Sequence, residues 1–532
     1  MTRTTRTWGA ACALVLLFPA LPVAAQRRAP APAPAAVTPE QMIARIREEG
    51  LQHSRVMEYE SYIVDVLGAR LTNSSDMLRA QRWLRDELTR LGLVNVAAEP
   101  FMEFGVLWDN EYVSLHMLEP DYQPMVGYPV AHTPGTDGRQ VLDAVIVELA
   151  SRADLERLRG TLRGKAILVT PPAAVDLAPL TNGVPRLTDD DLRKLAETVI
   201  APAPAVRAPT VPNPDLLTAA DKLAFYRAEG VAVVLQSESG WLGAVRGFSR
   251  PGSRDDKWSR AGDLAGPPMV AITPEHYNRM YRILRRGIPV KVEVEVRNRI
   301  GDTTVQASNI VAEIPGTDLA DQVVMLGAHF DTWHASPNAS DNSSGVAVAL
   351  EAVRILKALD VRPRRTIRVA LWSGEEQGLF GSRAYVRKHF GDPRDSTAPI
   401  TPEYRRLSAY FNQDYGAGQY RGIYLQGNEA ARAQLTAWMA PFRDLGMTTV
   451  SNQSVGSTDH VAFDEVGLPG FQFLQDHIPG TGGHTNLDFL ESIQAQDLMK
   501  NATVMAAYVW QAAMADAPMP RKQPPTPPGG NR

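Results

Sequence analysis

Cysteine is almost absent. The 532 residues hold one, Cys12, and it lies near the start of the chain. Charge of one sign is lacking as well: 55 Lys and Arg against 59 Asp and Glu leave a net charge of −4. That is far from the basic balance of nucleic-acid binders, so nucleic acid is set aside as a partner. Long apolar runs are missing beyond the first segment, since no other stretch approaches the roughly 18 residues that span a bilayer. Gly and Pro, 40 of each, make up about 15% of the chain, below the roughly 25–30% that marks low-complexity sequence. What remains is an ordinary globular composition, 44% hydrophobic and 21% charged, with a length that predicts two to four domains.

The first segment reads as a secretory signal peptide. Arg3 and Arg6 precede an apolar stretch from Trp8 to Leu21, and the small residues Val23-Ala24-Ala25 come before Gln26. Pro19 and Pro22 interrupt the run, which speaks against a retained anchor. Cys12 precedes most of the apolar stretch, so a lipoprotein anchor fits poorly. Cleavage after Ala25 removes two Arg and no acid, taking the charge from −4 to −6. It also removes the one cysteine, so export is argued from the signal and not from disulfide chemistry. Arg27-Arg28 follow the apolar run instead of preceding it, which predicts export unfolded and metal loading outside the cytosol, in the periplasm or the medium.

Composition divides the rest. Residues 26–39 form an Ala/Pro-rich tether, and helical periodicity over Glu40–Glu49 and Met57–Leu91 follows, with Gly92 as a stop, inside a segment 40–121. Residues 122–297 carry short β runs, among them Val141–Leu149, Lys165–Thr170, Val231–Gln236, Met269–Ile272 and Val290–Val296, with a Pro-rich excursion from Pro171 to Pro214 and few candidate catalytic groups. Residues 298–515 alternate buried-type strands with amphipathic helices: Val323–His329, Ser344–Leu359, Thr366–Trp372, Leu379–Phe390, Leu407–Gln413, Gly470–Leu474 and Ala495–Ala513. That alternation predicts a doubly wound α/β fold, a mostly parallel sheet with helices on both faces. Residues 516–532 read as a disordered Pro-rich tail.

Acids and imidazoles fall where these strands end, which is where open α/β sheets bind ligands. His329 and Asp331 follow the first strand, Asp341 precedes the helix at Ser344, and Glu375 and Glu376 follow Trp372. Asp414 follows Gln413, and His484 lies on the Gly-rich loop after Leu474. Imidazole and carboxylate donors suit zinc. The set His329, Asp341, Glu376, Asp414 and His484 is too large for one catalytic zinc and fits two zinc ions sharing a carboxylate, the arrangement that activates water for amide hydrolysis. Glu375, beside Glu376, then serves as general base.

Five strings carry a resemblance: Gly327-Ala328-His329-Phe330-Asp331-Thr332-Trp333, Ser340-Asp341-Asn342-Ser343-Ser344-Gly345, Trp372-Ser373-Gly374-Glu375-Glu376-Gln377-Gly378, Asn412-Gln413-Asp414 and His484-Thr485. In this order the chain resembles the co-catalytic zinc exopeptidases, the family of secreted aminopeptidases, glutamate carboxypeptidase and carboxypeptidase Q. The resemblance implies that Asp341 bridges two Zn2+ ions, with His329 and Asp414 on one and Glu376 and His484 on the other. It implies Glu375 as base and Asp331 as the carboxylate that orients His329. Gly68-Ala69-Arg70-Leu71-Thr72 looks like the family's opening. The 122–297 block looks like a β-rich protease-associated insert, most visibly in Gly164-Lys165-Ala166-Ile167-Leu168-Val169 and Gly230-Val231-Ala232-Val233-Val234-Leu235.

The expected activity is that of an exported two-zinc exopeptidase acting on a peptide substrate, with aminopeptidase specificity first and a carboxypeptidase Q-like dipeptidase or carboxypeptidase as the alternative. Trp333 and Asn412-Gln413-Asp414-Tyr415-Gly416 look more like the latter branch. Self-association to a homodimer stays open. An inactive, receptor-like binding protein is the other class, but it would lack ligands or base, and the full set is present. Several relatives place Tyr before the last His ligand to steady the oxyanion, whereas this chain has Gly483, which leaves Tyr415 and His460 as candidates. The loop carrying His334, Pro337 and Asn338 also departs from the Gly-rich pattern of carboxypeptidase Q-like relatives. His334 and His477 read as solvated loop residues, and His53, His116, His132, His276 and His389 as structural or surface residues. Taken singly, Glu376 could be an ion-pair partner, Asp341 a helix cap and Asp414 a turn residue.

Overall fold

A computed structural model describes residues 37–176, 186–199, 215–246, 266–477 and 483–522. The signal segment 1–25 and most of the tether 26–39 lie outside them. The chain divides into two units, Met1–Met42 and Ile43–Arg532, and the second holds the sheet and the site.

Its strands, among the described residues, are β1 (Val94–Glu119), β2 (Gln123–Pro124), β3 (Gly127–Pro129), β4 (Gln140–Ile146), β5 (Ala166–Leu168), β6 (Val175–Asp176), β7 (Val233–Gln236), β8 (Gly240–Trp241), β9 (Met269–Ile272), β10 (Val290–Ile314), β11 (Leu319–His329), β12 (Arg365–Trp372), β13 (Leu407–Asn412), β14 (Tyr420–Tyr424), β15 (Thr449–Ser451) and β16 (Gly470–Gln475). Fourteen of them form one sheet in the order β15-β14-β16-β13-β11-β12-β10-β4-β5-β7-β9-β3, with β1 on β10 and β2 on β1. The strands β12, β11, β13 and β16 are parallel, as the alternating pattern predicts. Their register sets His329 level with Trp372 and Gly327 level with Asn412. Four carboxyl ends therefore open on one edge, and the loops that follow them meet there.

Helices cover this block because its strands are apolar on both faces. Helix Ser344–Ala358 buries nearly every residue and packs against Ala495–Met514, itself mostly buried. Each Val, Leu or Ile withdrawn from water in this layer contributes roughly 1.5–3 kcal/mol.

A second parallel block, β4, β5, β7 and β9, belongs to the 122–297 segment. The long antiparallel pair β1 and β10 joins the two blocks: β10 pairs with β12 near Ile310–Ile314 and with β4 near Val290–Val294. The segment expected to be β-rich also carries helices Arg152–Leu158, Asp189–Glu197, Ala219–Ala228 and Pro274–Arg285, so its texture is α/β. The helix Asp189–Glu197 lies on β15, and Arg186 beside it ion-pairs with Asp476 and Asp497 at 3.1 and 2.5 Å. These contacts hold the segment against the block of β11, β12, β13 and β16.

Two sequence expectations need correction. The helical run Met57–Leu91 breaks at residues 68–74, where Gly68 has φ +71° and Ser74 caps the helix Ser75–Arg90. The stretch between is pulled into the site. The tail expected to be disordered from 516 onward is packed through Lys522. Met519 is buried, Asn428 donates to the Pro520 carbonyl at 2.7 Å, and Arg521 donates to the Leu407 carbonyl at 2.7 Å. Residues 523–532 lie outside the described residues. Among the described residues no helix is long and apolar enough to cross a membrane.

Candidate metal centre

His329 ends β11 and is buried. Its Nε2 lies 3.2 Å from Asp341 Oδ1, 3.7 Å from Asp414 Oδ1 and 4.0 Å from Glu375 Oε2. His484 Nε2 lies 3.2 Å from the other Asp341 oxygen, Oδ2, and 2.7 Å from Glu376 Oε2. The side chains thus form two triads, His329-Asp341-Asp414 and Asp341-Glu376-His484, each with donor atoms within 4.8 Å of one another. Asp341 belongs to both and turns one oxygen to each.

The buried atoms of these triads are poorly served by the protein alone. His329 Nε2 and both Glu376 oxygens have no aligned hydrogen-bond partner, although an oppositely charged group lies near each. Each triad gathers its donor atoms around a common point, all within 4.8 Å of one another. Leaving such groups unsatisfied in a buried place costs roughly 1–3 kcal/mol each, more when charged, and cations at these points would satisfy them. The donor set fits a pair of metal ions.

Electrostatics point the same way. Asp331, Asp341, Glu375, Glu376, Asp414 and Asp459 surround two imidazoles. Burial pushes Glu375 well above the usual carboxylate range and takes Glu376 and Asp459 up to about 7. Burial opposes the charged imidazole of His329, but the carboxylates of Glu375, Asp414 and Asp341 outweigh it and hold the pKa high. His484 is raised chiefly by Glu376. This surplus of buried negative charge is what a metal pair would neutralise.

Supporting contacts fix the ligands. Asp331 was expected to orient His329 through its carboxylate, but its main-chain carbonyl does this, 3.0 Å from Nδ1, while the carboxylate stands 3.9 Å off. The Asp331 carboxylate instead accepts the N–H groups of Glu375 and Glu376, each at 3.2 Å, and the Thr72 hydroxyl at 3.1 Å. It holds the loop that carries Glu375 and Glu376. Asp488 accepts the N–H groups of Ser340 and Asp341 and the Ser340 hydroxyl. Arg70, fully buried, donates to the Phe330 carbonyl and to Ser343 Oγ. Sequence reading singled out neither as part of the site. The string His484-Thr485-Asn486-Leu487-Asp488, with its acid four residues after a ligand, holds the signal that would have found Asp488.

A cavity of about 1020 Å³ opens over the centre, lined by Glu375, Glu376, Asp414, Tyr415 and His484 among others. His477, read as a solvated loop residue, lies on its wall. His334 does not stay solvated: it is half-buried, with Nε2 2.7 Å from the Pro129 carbonyl and its ring edge-on to Trp108. His460, a candidate for the oxyanion, is buried beside Gln426 and the Val455 carbonyl, where burial lowers its pKa to about 4. It is not on the cavity wall, so Tyr415 is the candidate that remains. The wall also receives Trp241 and Arg246 from the 122–297 segment, in which sequence reading found few catalytic groups.

A doubly wound sheet that gathers two carboxylate-imidazole triads around a shared Asp and a buried Glu defines a metallopeptidase. Residues 309–509, the part that holds the two triads, match the model described as Peptidase family M28. Carboxypeptidase Q of Mus musculus is 25% identical over 475 residues, 89% of this chain and 88% of that protein. Aminopeptidase YwaD of Bacillus subtilis (strain 168) is 28% identical over 263 residues, 47% of this chain and 53% of that protein. Among solved structures, a Peptidase M28 precursor from Shewanella amazonensis matches with TM-score 0.65 and 22% identity, over 92% of this chain and 99% of that one. A zinc aminopeptidase from Bacillus subtilis matches with TM-score 0.56 and 18% identity, over 87% and 95%. At these identities the structural likeness shows the fold.

Proposed function

We propose that this chain is an exported two-zinc exopeptidase that hydrolyses short peptides. The observation that carries the reading is the carboxylate of Asp341, whose two oxygens each lie 3.2 Å from a different imidazole. His329 and Asp414 would hold one ion and Glu376 and His484 the other. When bound, the zinc pair lowers the pKa of water and stabilises the developing oxyanion.

The protein's own groups supply the rest. Glu375, on the cavity wall with its pKa raised by burial, is suited to take the proton of the attacking water and pass it to the leaving amine. Asp331 holds Glu375 through its backbone N–H. Tyr415 is proposed as the hydroxyl that steadies the oxyanion; it lines the cavity and donates to the Gly456 carbonyl. The cavity, walled on one side by Trp241 and Arg246, suits a short substrate.

For the end attacked, similarity to carboxypeptidase Q runs across nearly the whole chain, the 122–297 segment included, whereas the match to the bacterial aminopeptidase spans about half. This favours the carboxypeptidase Q-like reading over the aminopeptidase one. The N-terminal signal supports a location outside the cytosol.

The test is metal content together with hydrolysis of an N-acylated and a C-amidated dipeptide, with and without chelator. Two zinc ions per chain and chelator-sensitive cleavage of the N-acylated peptide are the expected results. Cleavage of the C-amidated peptide alone would make it an aminopeptidase, and no metal with no cleavage would overturn the reading.

A further inference from the structure

We propose that Arg246 captures the α-carboxylate at the C-terminus of the substrate, which makes free-carboxylate peptides the substrates of the centre. The inference rests on the peptidase reading and adds the group that selects the substrate's end.

Arg246 lies in the 122–297 segment, five residues after Trp241, and reaches the cavity that Glu375, Asp414 and His484 line. Its guanidinium carbon stands 5.3 Å from the centre of the Trp241 ring, a stacking that fixes the plane of the fork. Its Nε is buried and has no hydrogen-bond partner among the described residues. An orphaned donor on an always-charged group is costly, and the side chain that carries it lines the cavity. The other arginine on the wall, Arg383, is already engaged: it donates to the Gly378 carbonyl and ion-pairs with Glu465.

The acids of the same wall make the complementary point. Among the described residues that line the cavity, the carboxylates are those of Asp341, Glu375, Glu376 and Asp414, and all four belong to the metal centre. A free α-amine would find no spare carboxylate there, whereas an α-carboxylate finds a spare guanidinium. Planar Arg matches a carboxylate through two parallel hydrogen bonds.

The position of Arg246 is also tied to the metal centre. The N–H of Val245 donates to Asn486 Oδ1 at 2.6 Å, and Asn486 Nδ2 reaches back to the Gly243 carbonyl at 3.4 Å. Asn486 follows the ligand His484 by two residues. The loop that presents the cation is thus pinned to the loop that presents the ligand, and such mutual fixing is what selective recognition needs.

The experiment uses the full-length, zinc-loaded protein, a free dipeptide and the same dipeptide with a C-terminal amide. Wild type is expected to prefer the acid in kcat/KM by roughly 10–100-fold, the range of a charge-assisted pair, with the difference in KM. Arg246→Gln should bring the ratio near one, and Arg246→Lys should restore part of it; melting temperatures establish that each variant is folded. Equal use of acid and amide by wild type, or an unchanged ratio in Arg246→Gln, overturns the proposal. A parallel calorimetric titration of zinc-loaded Glu375→Gln reads the same preference without turnover. Should neither peptide be cleaved by wild type, the peptidase reading fails, but tighter binding of the acid that vanishes in Glu375→Gln/Arg246→Gln would still support the carboxylate site. Equal binding, or none, would overturn it.

Discussion

Asp488 Oδ2 accepts the backbone N–H of Asp341 at 3.1 Å, so the carboxylate shared by the two triads hangs from a second, buried carboxylate. Asp488 also takes the N–H and hydroxyl of Ser340, and burial pushes its pKa up to about 7. Groups that orient ligands typically change metal affinity 10–100-fold when replaced. Asp488→Ala is therefore expected to weaken zinc binding by about that factor, read by competition with a chromophoric chelator, while circular dichroism remains that of wild type. Wild-type affinity in a folded Asp488→Ala protein would show that the Asp341 loop holds itself.

Glu375→Gln separates base from ligand. The amide keeps the size of the side chain and loses the proton acceptor, so the variant should bind two zinc ions and lose turnover by roughly 10²–10⁴-fold. Asp341→Ala should behave in the opposite way, losing metal first, because both triads contain it. Metal analysis of the two purified variants beside their kcat values distinguishes the roles. Near-normal activity in Glu375→Gln, or two tightly held ions in Asp341→Ala, would overturn the corresponding assignment.

The central sheet is readable in the sequence because β11, β12, β13 and β16 each carry a mainly apolar stretch with the candidate site residues at or just after its end. Strands buried on both faces run mostly apolar, and ligands bind where such strands end, so the acids and imidazoles that follow mark the site. Asp331 was read as a partner of His329 on spacing, but the bond to Nδ1 comes from its main-chain carbonyl, which no side-chain pattern encodes. Arg70 and Asp488 act across 260 and 147 residues respectively, and only the folded chain brings such pairs together. β1 went unrecognised because its pairing with β10 is broken by repeated register shifts that blur the alternation. Arg246 was hidden for a related reason, since β1 and β10 carry its segment onto the sheet. The tail through Lys522 looked disordered by composition, yet Met519 and Arg521 anchor it.

Gly483 leaves room for the carboxylate that the two triads share. A Cβ at this position would lie 2.6 Å from Asp341 Oδ2, closer than a carbon can approach an oxygen without displacement. Gly483→Ala should therefore disturb the shared carboxylate and lower zinc affinity. Tyr415→Phe is expected to leave metal content intact and lower kcat by roughly 10²–10³-fold with little change in KM, the range for losing one oxyanion donor. Steady-state kinetics on zinc-loaded protein reads both parameters. Unchanged kcat would assign the Tyr415 hydroxyl to its bond with Gly456 and to structure alone.

Away from the centre, Glu99 and His389 form a pair whose strength depends on pH. Their Oε2 and Nε2 atoms lie 2.8 Å apart, with Lys388 also 2.8 Å from Glu99. The hydrogen bond from His389 is the main reason Glu99 sits at about 2 instead of its ordinary 4.5. Burial works against charged His389, but Glu403 and Glu99 outweigh it and raise its pKa above 6.5. A depressed carboxylate contributes stability above its ordinary pKa and loses it as pH falls toward 2. A raised imidazole contributes below 6.5 and loses it as pH climbs through the raised value. Both contributions are complete only between about pH 4.5 and 6.5. His389→Gln should thus lower the melting temperature most near pH 5.5, by roughly 1–2 °C for a partly exposed pair, and less as the pH climbs through the raised value of His389. Thermal melts of both proteins from pH 4 to 9 measure this, and a difference that stays flat across the range would mean that ring packing against Tyr385, 4.2 Å away, sets the contribution instead of charge.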